Sequence, residues 1–509
     1  MKKQSLITGS LVLGLAGMLA KVLGFFFRWP LIMLIGDEGI AYYQLTYPLY
    51  MFFVAMASGV PIAISKMISE KNAVGDVEGS FEVVKESAYL MSVIGIGTSV
   101  ILFFFAKPII NFLKWDMKAY YSLIGISFAP MIISFVSIFR GFFQGFQNMT
   151  PSGASQIFEQ IGRVVVGVGL AYILLAKGIE FSAGGAAFGA AAGGVLALVY
   201  LFAKYIKIKK EMGIKKIKTN TDILNEILKI AIPISVGATV GTIMNLIDSI
   251  VVPQQLVKSG VDNGIALYGQ LTGKAAVIVN LPSTLSMALC TSLIPIISEQ
   301  YILNRKKEVQ NKVNLVMKLS TVIALPCTMG LFFLSQPIMK LIFFSNYDGF
   351  GILKYLALTI PFVIITQTTT SILQATNHYV RPVVNLVIGG VVKIILTWIL
   401  VPIPEINIYG AVIASIIAYL VVALLNIISL INKTKMKINM YEALVGPLCG
   451  ALAMAIGVVF TYGKLILKTN NNSISCLISI IVGIIIYGIL ILVLKVFEID
   501  EIKNQIKRN

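Results

Sequence analysis

Apolar residues run along this chain in blocks of roughly 20 to 25, one after another almost from end to end, with short polar stretches between them. Wound as helices, such blocks match the hydrocarbon core of a bilayer, about 30 Å thick. The pattern predicts helices over 6–35, 40–70, 80–106, 118–143, 154–176, 183–207, 225–257, 264–300, 310–337, 350–375, 380–402, 408–430, 441–463 and 473–495. Several exceed the minimum span, which tilt or extension beyond the bilayer accommodates. The expected fold class is therefore all-α, a polytopic membrane protein with 14 transmembrane helices. Lys2 and Lys3 precede the first apolar run and no small-residue cleavage site follows at a suitable distance, so that run is expected to be a retained helix.

Composition agrees. Of 509 residues 57% are hydrophobic and 13% charged, about half the charged fraction of soluble domains. The formal charge of +18 falls mostly between apolar runs, without the aromatic and basic interleaving of a nucleic-acid surface. It suits membrane topology and anionic lipid instead. Lys and Arg concentrate at 204–218, 305–312, the His378 to Arg381 turn, 431–437 and the tail from 501, all on one side if the N-terminus is inside. That bias predicts a multi-pass protein of the cytoplasmic membrane with both termini cytoplasmic, the loop at 107–118 being an exception. Cys290, Cys327, Cys449 and Cys476 show no pair spacing for metal or redox chemistry. Nucleotide loops, HExxH metal sites and GxSxG elbows are missing too, and one histidine in a turn leaves little for a lipid-phosphate enzyme.

The chain also repeats itself. Pro48 and Pro61 are thirteen residues apart, as are Pro282 and Pro295. Gln144 lies nineteen residues before Arg163, and Gln374 nineteen before Lys393, with a proline seven or eight residues after each glutamine. The two matches fall in order at offsets of 234 and 230. They predict a six-helix lobe at 1–207, a basic cytoplasmic linker at 208–224, a second six-helix lobe at 225–432, and two further helices with a basic tail at 433–509. Transporters built from parallel repeats can open a cavity to either side of the membrane in turn.

Charges inside the spans are the candidate functional residues, because a charge at the bilayer centre costs about 3 kcal/mol even on insertion scales. Lys21 and Arg28, seven apart in AKVLGFFFRWPLIMLIGDEG (20–39), share one helix face with Gly14, Gly17 and Gly24. Lys21 stands too far from either end to snorkel easily, whereas Arg28 has an outer rim within reach. Asp248, with Asn245 almost one turn earlier, would pair with a cation or bind an ion. Lys274 begins the eighth span, facing a cavity or an interface, and Asn280 offers an amide to sugar or phosphate oxygens. Glu159 and Arg163 form an i,i+4 pair, chiefly structural, with Arg163 and its repeat counterpart Lys393 as secondary cavity candidates. Arg140, Lys318 and Lys354 lie near predicted ends and are expected to snorkel.

The stretches AKVLGFFFR, IGDEGIAYYQLTYPLYMFFVAMASGVPIAISK and RGFFQGFQNMTPSGASQIFEQIGRV resemble the polysaccharide-transport, stage V sporulation protein B-like branch of the multidrug/oligosaccharidyl-lipid/polysaccharide exporter superfamily, close to the lipid II flippases of peptidoglycan synthesis. The resemblance implies two six-helix lobes in a V, a cationic cavity, and a groove for a polyprenyl tail on the last helix pair. It also implies that Lys21 and Arg28 bind the diphosphate of a polyprenyl-diphosphate-linked saccharide, with Lys274 less closely matched. Lys21 stands where arginine is usual, and the second helix lacks an expected arginine. The expected function is alternating-access flipping of that lipid by a monomer without cofactor, with membrane potential, proton or sodium as candidate energy sources. The rivals are an ion-coupled organic cation exporter of the same superfamily and a membrane scaffold for envelope or spore assembly.

Overall fold

The computed structural model describes residue 4, residues 6–214, 221–435 and 440–494, and residue 496. The lysines at 215, 216, 218 and 437, the tail from 501, and the side chains of Cys290 and Pro295 lie outside the described residues. Among the described residues every regular element is helical. The chain divides into two compact units, Met1–Gln254 and Gln255–Asn509. Eleven helices, or up to twelve if a bent pair is one span, are long and apolar enough to cross a membrane. The protein is therefore an all-α, multi-pass membrane protein.

The first unit opens with α1 (Leu6–Ala57) and α2 (Gly59–Ala73). Together they supply an apolar segment of 62 residues, Val12–Ala73, about 93 Å of helix at 1.5 Å per residue. One crossing needs about a third of that, and two interruptions divide it. At Gly36 the backbone turns to φ 64, ψ −168, a conformation that glycine adopts without strain. Asp37 and Glu38 then begin the next helical segment, where the positive end of the helix dipole favours acids. At Ser58 the cause is Pro61, which carries no N–H for the Ala57 carbonyl and whose ring crowds it. Ser58 caps the broken end, its N and Oγ both donating to the Ala55 carbonyl at 3.1 and 2.7 Å.

After this come α3 (Val77–Phe104), α4 (Ala106–Leu113), α5 (Tyr120–Ser127), α6 (Ala129–Gly145) and α7 (Met149–Gly162). A π-helical turn, Arg163–Gly167, leads into α8 (Val168–Leu174), followed by α9 (Ile179–Glu211) and α10 (Thr221–Lys258). Asp76 caps α3, accepting from the Gly79 N–H at 2.8 Å and from Lys71 Nζ at 3.1 Å. Those two donors hold its carboxyl below the usual carboxylate value.

Small residues let α9 approach its neighbours closely. A Cβ at Gly189 would lie 2.7 Å from the Gly167 Cα, and one at Gly193 would overlap the Glu159 carbonyl. On another face, a Cβ at Gly184 would meet the Tyr121 carbonyl of α5 at 2.8 Å. The helix α10 joins this unit in the same way: a Cβ on Gly59 would overlap the Ala231 carbonyl, and the Gly59 N–H donates to Ser235 Oγ at 3.0 Å. Ile223, Ile227 and Ala231 share a core with Phe81, Phe142, Phe143 and Leu201. Further along, Trp115 Nε1 donates to the Ser249 carbonyl at 2.6 Å and Gln254 Nε2 to the Leu113 carbonyl at 2.7 Å. Between these anchors α10 bends by 47°, from Asp222–Thr239 to Gly241–Lys258.

The second unit contains α11 (Gly264–Gly269), a π-helical turn at Gln270–Ala275, α12 (Ala276–Ile302), α13 (Lys306–Phe333), α14 (Ser335–Phe343) and α15 (Phe350–Leu356). It continues with α16 (Ile360–Ala375), α17 (Val380–Leu400), α18 (Ile408–Thr434), α19 (Met440–Thr469) and α20 (Asn472–Val493). The last two helices pack on α13 and α14: Thr321 Oγ1 donates to the Ala443 carbonyl at 2.5 Å, Tyr487 O–H to the Val322 carbonyl at 3.0 Å, and Asn472 Nδ2 to the Pro337 carbonyl at 3.1 Å. A buried amide network ties α16, α17 and α18, with Asn385 Nδ2 donating to Asn426 Oδ1 at 2.8 Å and Asn426 Nδ2 to Thr370 Oγ1 at 3.0 Å.

The backbone of the second unit repeats that of the first. Helices α3 and α13 are both 28 residues long. Positive φ angles recur at Gly75 and Asn304, Lys114 and Phe344, Gln147 and Asn377, and Gly178 and Asn407, at offsets of 229 or 230 residues. The turn after α6 and the turn after α16 are the same Schellman motif. Gln147 N donates to the Gln144 carbonyl and Asn148 N to Phe143, while Asn377 N donates to Gln374 and His378 N to Leu373. The paired glutamines thus occupy the same place in the same turn.

Two outcomes test this packing. Gly193→Val should lower the melting temperature of the detergent-solubilised protein by an amount corresponding to about 1–3 kcal/mol, the usual cost of overpacking, whereas Gly97→Ala, which meets open space, should not lower it. Asp76→Ala should cost about 0.5–2 kcal/mol at neutral pH, as lost caps do. Because the folded carboxyl titrates below its unfolded value, that difference should be full above the unfolded value and vanish as the pH falls through the folded one.

Candidate functional site

The charged interior of the first unit is built from α1, α6 and α7. Glu159, near the end of α7, stands between two guanidiniums. Arg140 of α6 donates from Nη2 to Glu159 Oε2 at 2.9 Å, and from Nε to Ser155 Oγ at 2.8 Å. Arg163 Nη2 is 3.6 Å from Glu159 Oε1. Arg140 is therefore an ion-paired interior residue, its side chain 18% exposed, and not the snorkelling cation that its place in the sequence suggested. The hydroxyls of Ser152 and Ser155, one turn apart on α7, bring α6 and α7 close enough for the pair to form.

Arg163 opens the π-helical turn, where one residue too many is accommodated in the helix. The close approach of α9 at Gly189 and Gly193 fixes the turn against its neighbour. The Arg163 side chain is buried, and its Nε has no hydrogen-bond partner among the described residues. Its Nη1 reaches Tyr47 O–H at 3.4 Å, and its guanidinium carbon lies 5.9 Å from the centre of the Tyr47 ring. The Arg28 guanidinium carbon lies 6.0 Å from the same centre. Tyr47 stacks in turn on Tyr43 at 5.5 Å and neighbours Tyr50 at 5.8 Å, while Phe27 packs edge-on against Tyr43 at 5.9 Å. An aromatic face favours cations, and this one serves two. The cluster as a whole holds three guanidiniums and one carboxylate.

Arg28 is half-buried within this cluster, and Lys21 is exposed. Both lie on the α1 stripe that approaches α7: a Cβ at Gly17 would be 3.6 Å from Gln156 Oε1, and one at Gly24 3.7 Å from Gln160 Oε1. Asp248 is half-buried and Asn245 exposed on α10. In the second unit Lys274 is wholly buried on its π-helical turn. Its ammonium donates to Asn346 O at 2.9 Å, Asn346 Oδ1 at 2.8 Å and Asp348 O at 3.3 Å, over the Phe343 ring. Those contacts hold the loop between α14 and α15. Asn280 is exposed, and Lys393 is buried on α17 in line with Asn385, Gly389 and Thr397. The structure thus joins Arg28 to Glu159 and Arg163, and adds Arg140 and Tyr47, which the sequence did not single out. The Tyr43, Tyr47, Tyr50 spacing, one aromatic per turn on one face, was the available signal.

No group of three or more His, Cys, Asp or Glu among the described residues is placed to hold a metal. Helices bundled across a membrane around buried cations define a membrane transporter. The profile described as polysaccharide biosynthesis protein matches residues 6–301, and the chain belongs to that family, within the multidrug/oligosaccharidyl-lipid/polysaccharide exporter superfamily. A second profile, MatE, matches 272–399. The chain is 29% identical to Stage V sporulation protein B of Bacillus subtilis (strain 168), across 99% of this chain and 98% of that protein. It is 28% identical to Lipid II flippase MurJ of the same organism, across 82% and 80%. Among solved structures, Lipid II flippase MurJ in an inward closed conformation has a TM-score of 0.73 at 19% identity, covering 95% of this chain and 99% of that one. An inward-facing multidrug resistance MATE family transporter has a TM-score of 0.71 at 16% identity, covering 82% and 94%. At these identities the likeness is one of fold.

The asymmetric pairing of Glu159 orders the consequences of removing each partner. Glu159→Gln leaves two buried guanidiniums unmatched and should destabilise the detergent-solubilised protein by about 3–5 kcal/mol. Arg163→Gln leaves Arg140 on the carboxylate and should cost clearly less in the same melting experiment.

Proposed function

We infer that this transporter is a flippase, moving a polyprenyl-diphosphate-linked saccharide across the bacterial cytoplasmic membrane by alternating access. The observation that carries the reading is the excess of guanidiniums over carboxylate in the first unit. Charge-assisted hydrogen bonds to an oxyanion are strong in apolar surroundings, and Glu159, held by two arginines, is poorly placed to receive an organic cation. The proposed arrangement has fourteen transmembrane helices, in two six-helix lobes and a final pair, with both termini in the cytoplasm. Lys21 and Arg28 meet the diphosphate, and Asn280, being exposed, supplies an amide to its oxygens. Lys274 supports this second-unit region through the loop that it holds. The apolar faces of α19 and α20 carry the polyprenyl tail. Membrane potential, worth about 2.3 kcal/mol per charge per 100 mV, favours inward return of an empty positive site. Asp248, with Asn245, is the candidate for coupling to a proton or sodium.

The MatE match over 272–399 favours a second reading, export of an organic cation. Reconstituted vesicles separate the two. The protein should translocate a fluorescent polyprenyl-diphosphate saccharide, and Lys21→Ala and Arg28→Ala should each slow it about tenfold or more, the worth of a hydrogen bond to a charged group. Absence of headgroup translocation, together with proton- or sodium-driven export of a cationic dye, would establish the exporter instead.

A further inference from the structure

We propose that Arg163 is a second diphosphate-gripping residue, which forms with Arg28 a two-guanidinium clamp on the Tyr47 ring, and that Arg140 makes this possible by retaining Glu159. The inference rests on the flippase reading for its substrate class and on geometry for the residue. Arg163 is 8% exposed, so its guanidinium has left water, yet its donors are poorly used. Nε has no partner among the described residues, Nη2 is 3.6 Å from the carboxylate and Nη1 is 3.4 Å from the Tyr47 hydroxyl. Arg140, on the same carboxylate, makes contacts of 2.9 and 2.8 Å. An arginine kept only to neutralise Glu159 would be expected to take the short contact. Here the short contact belongs to Arg140, and Arg163 holds donors in reserve inside an apolar interior, where unused donors are costly.

What those donors await follows from their surroundings. The Arg28 and Arg163 guanidiniums lie at 6.0 and 5.9 Å from one ring centre. Two like charges on one ring repel, and the arrangement becomes favourable when an anion of matching charge arrives. Tyr47 and Arg28 are half-buried, so a ligand that reaches Arg28 reaches the ring that Arg163 also touches. Two planar forks suit two adjoining phosphoryl groups, each fork offering paired N–H donors to one of them. A single phosphate would satisfy one fork. The clamp therefore selects diphosphate over monophosphate. When it fills, Arg163 turns from its long contact with Glu159 to the ligand, and Arg140 keeps the carboxylate paired.

The test uses the full chain in detergent, with inorganic pyrophosphate and orthophosphate as probes, read by calorimetric titration and by ligand-induced shift of the melting temperature. The wild type should bind pyrophosphate at least tenfold more tightly than orthophosphate. Arg163→Lys keeps the charge beside Glu159 but loses the fork, and should erase most of that preference while melting within a few degrees of the wild type. Arg163→Gln should weaken pyrophosphate further. A wild type that pyrophosphate does not stabilise, or an Arg163→Lys protein that prefers pyrophosphate as the wild type does, overturns the proposal. Translocation assays keep the two readings apart. Pyrophosphate binding through Arg163 without movement of the lipid-linked saccharide leaves the clamp standing and removes the flippase, and unimpaired flipping by Arg163→Lys does the reverse.

Discussion

A carboxylate placed among membrane helices must be matched, because neither water nor a high dielectric is at hand to disperse its charge. In the first unit that requirement falls on Glu159, and the surrounding elements are disposed to meet it. Arg140 reaches it from α6 only because serines on α7 let the two helices close on each other. Arg163 reaches it from a π-helical turn, which is seated by backbone-to-backbone contact with glycines of α9. The glycine stripe, the irregular turn and the ion pair are thus successive parts of one arrangement. Van der Waals contact at small residues brings the helices near enough for charge to be neutralised, and neutralisation allows charge to be present at all.

Much of the architecture could be read from the chain because a bilayer leaves few choices to a polypeptide. Every backbone amide within hydrocarbon has to be bonded internally, so an apolar block of sufficient length becomes a helix. The expected span at 408–430 lies within the observed Ile408–Thr434, and the one at 350–375 covers α15, a short connecting turn and α16. The pairing of Gln144 with Gln374 was legible too, because a Schellman turn places tight demands on a few successive residues. The breaks at Gly36 and Ser58 follow from glycine and proline chemistry.

The site was legible only in part, for a different reason. An i,i+4 partner such as Arg163 can be seen along one helix, but Arg140 lies nineteen residues before Glu159 and belongs to another. Which of two arginines makes the shorter bond is decided by helix packing, on which local periodicity is silent. Lys274 illustrates the same gap. Its sequence setting marks it as a cation inside a span, yet three loop oxygens more than seventy residues further along engage its ammonium. Tyr47, which gathers two guanidiniums on one ring, is an aromatic among many until α1 and the turn after α7 are brought together.

The contact between Gly59 and the Ala231 carbonyl bears on how such a protein is made. The sequence places α10 after the long basic stretch, among the segments that open the second repeat, but its side chains complete the core of the first unit. A ribosome that has delivered the first six spans has not yet delivered everything that unit is built from. The broken helix at Ser58 has to wait in the bilayer with a backbone amide unsatisfied until Ser235 emerges to accept from it. Synthesis of the second repeat is therefore a folding step for the first, and the two halves of the gene product are bound to each other by order of birth as well as by the chain that joins them.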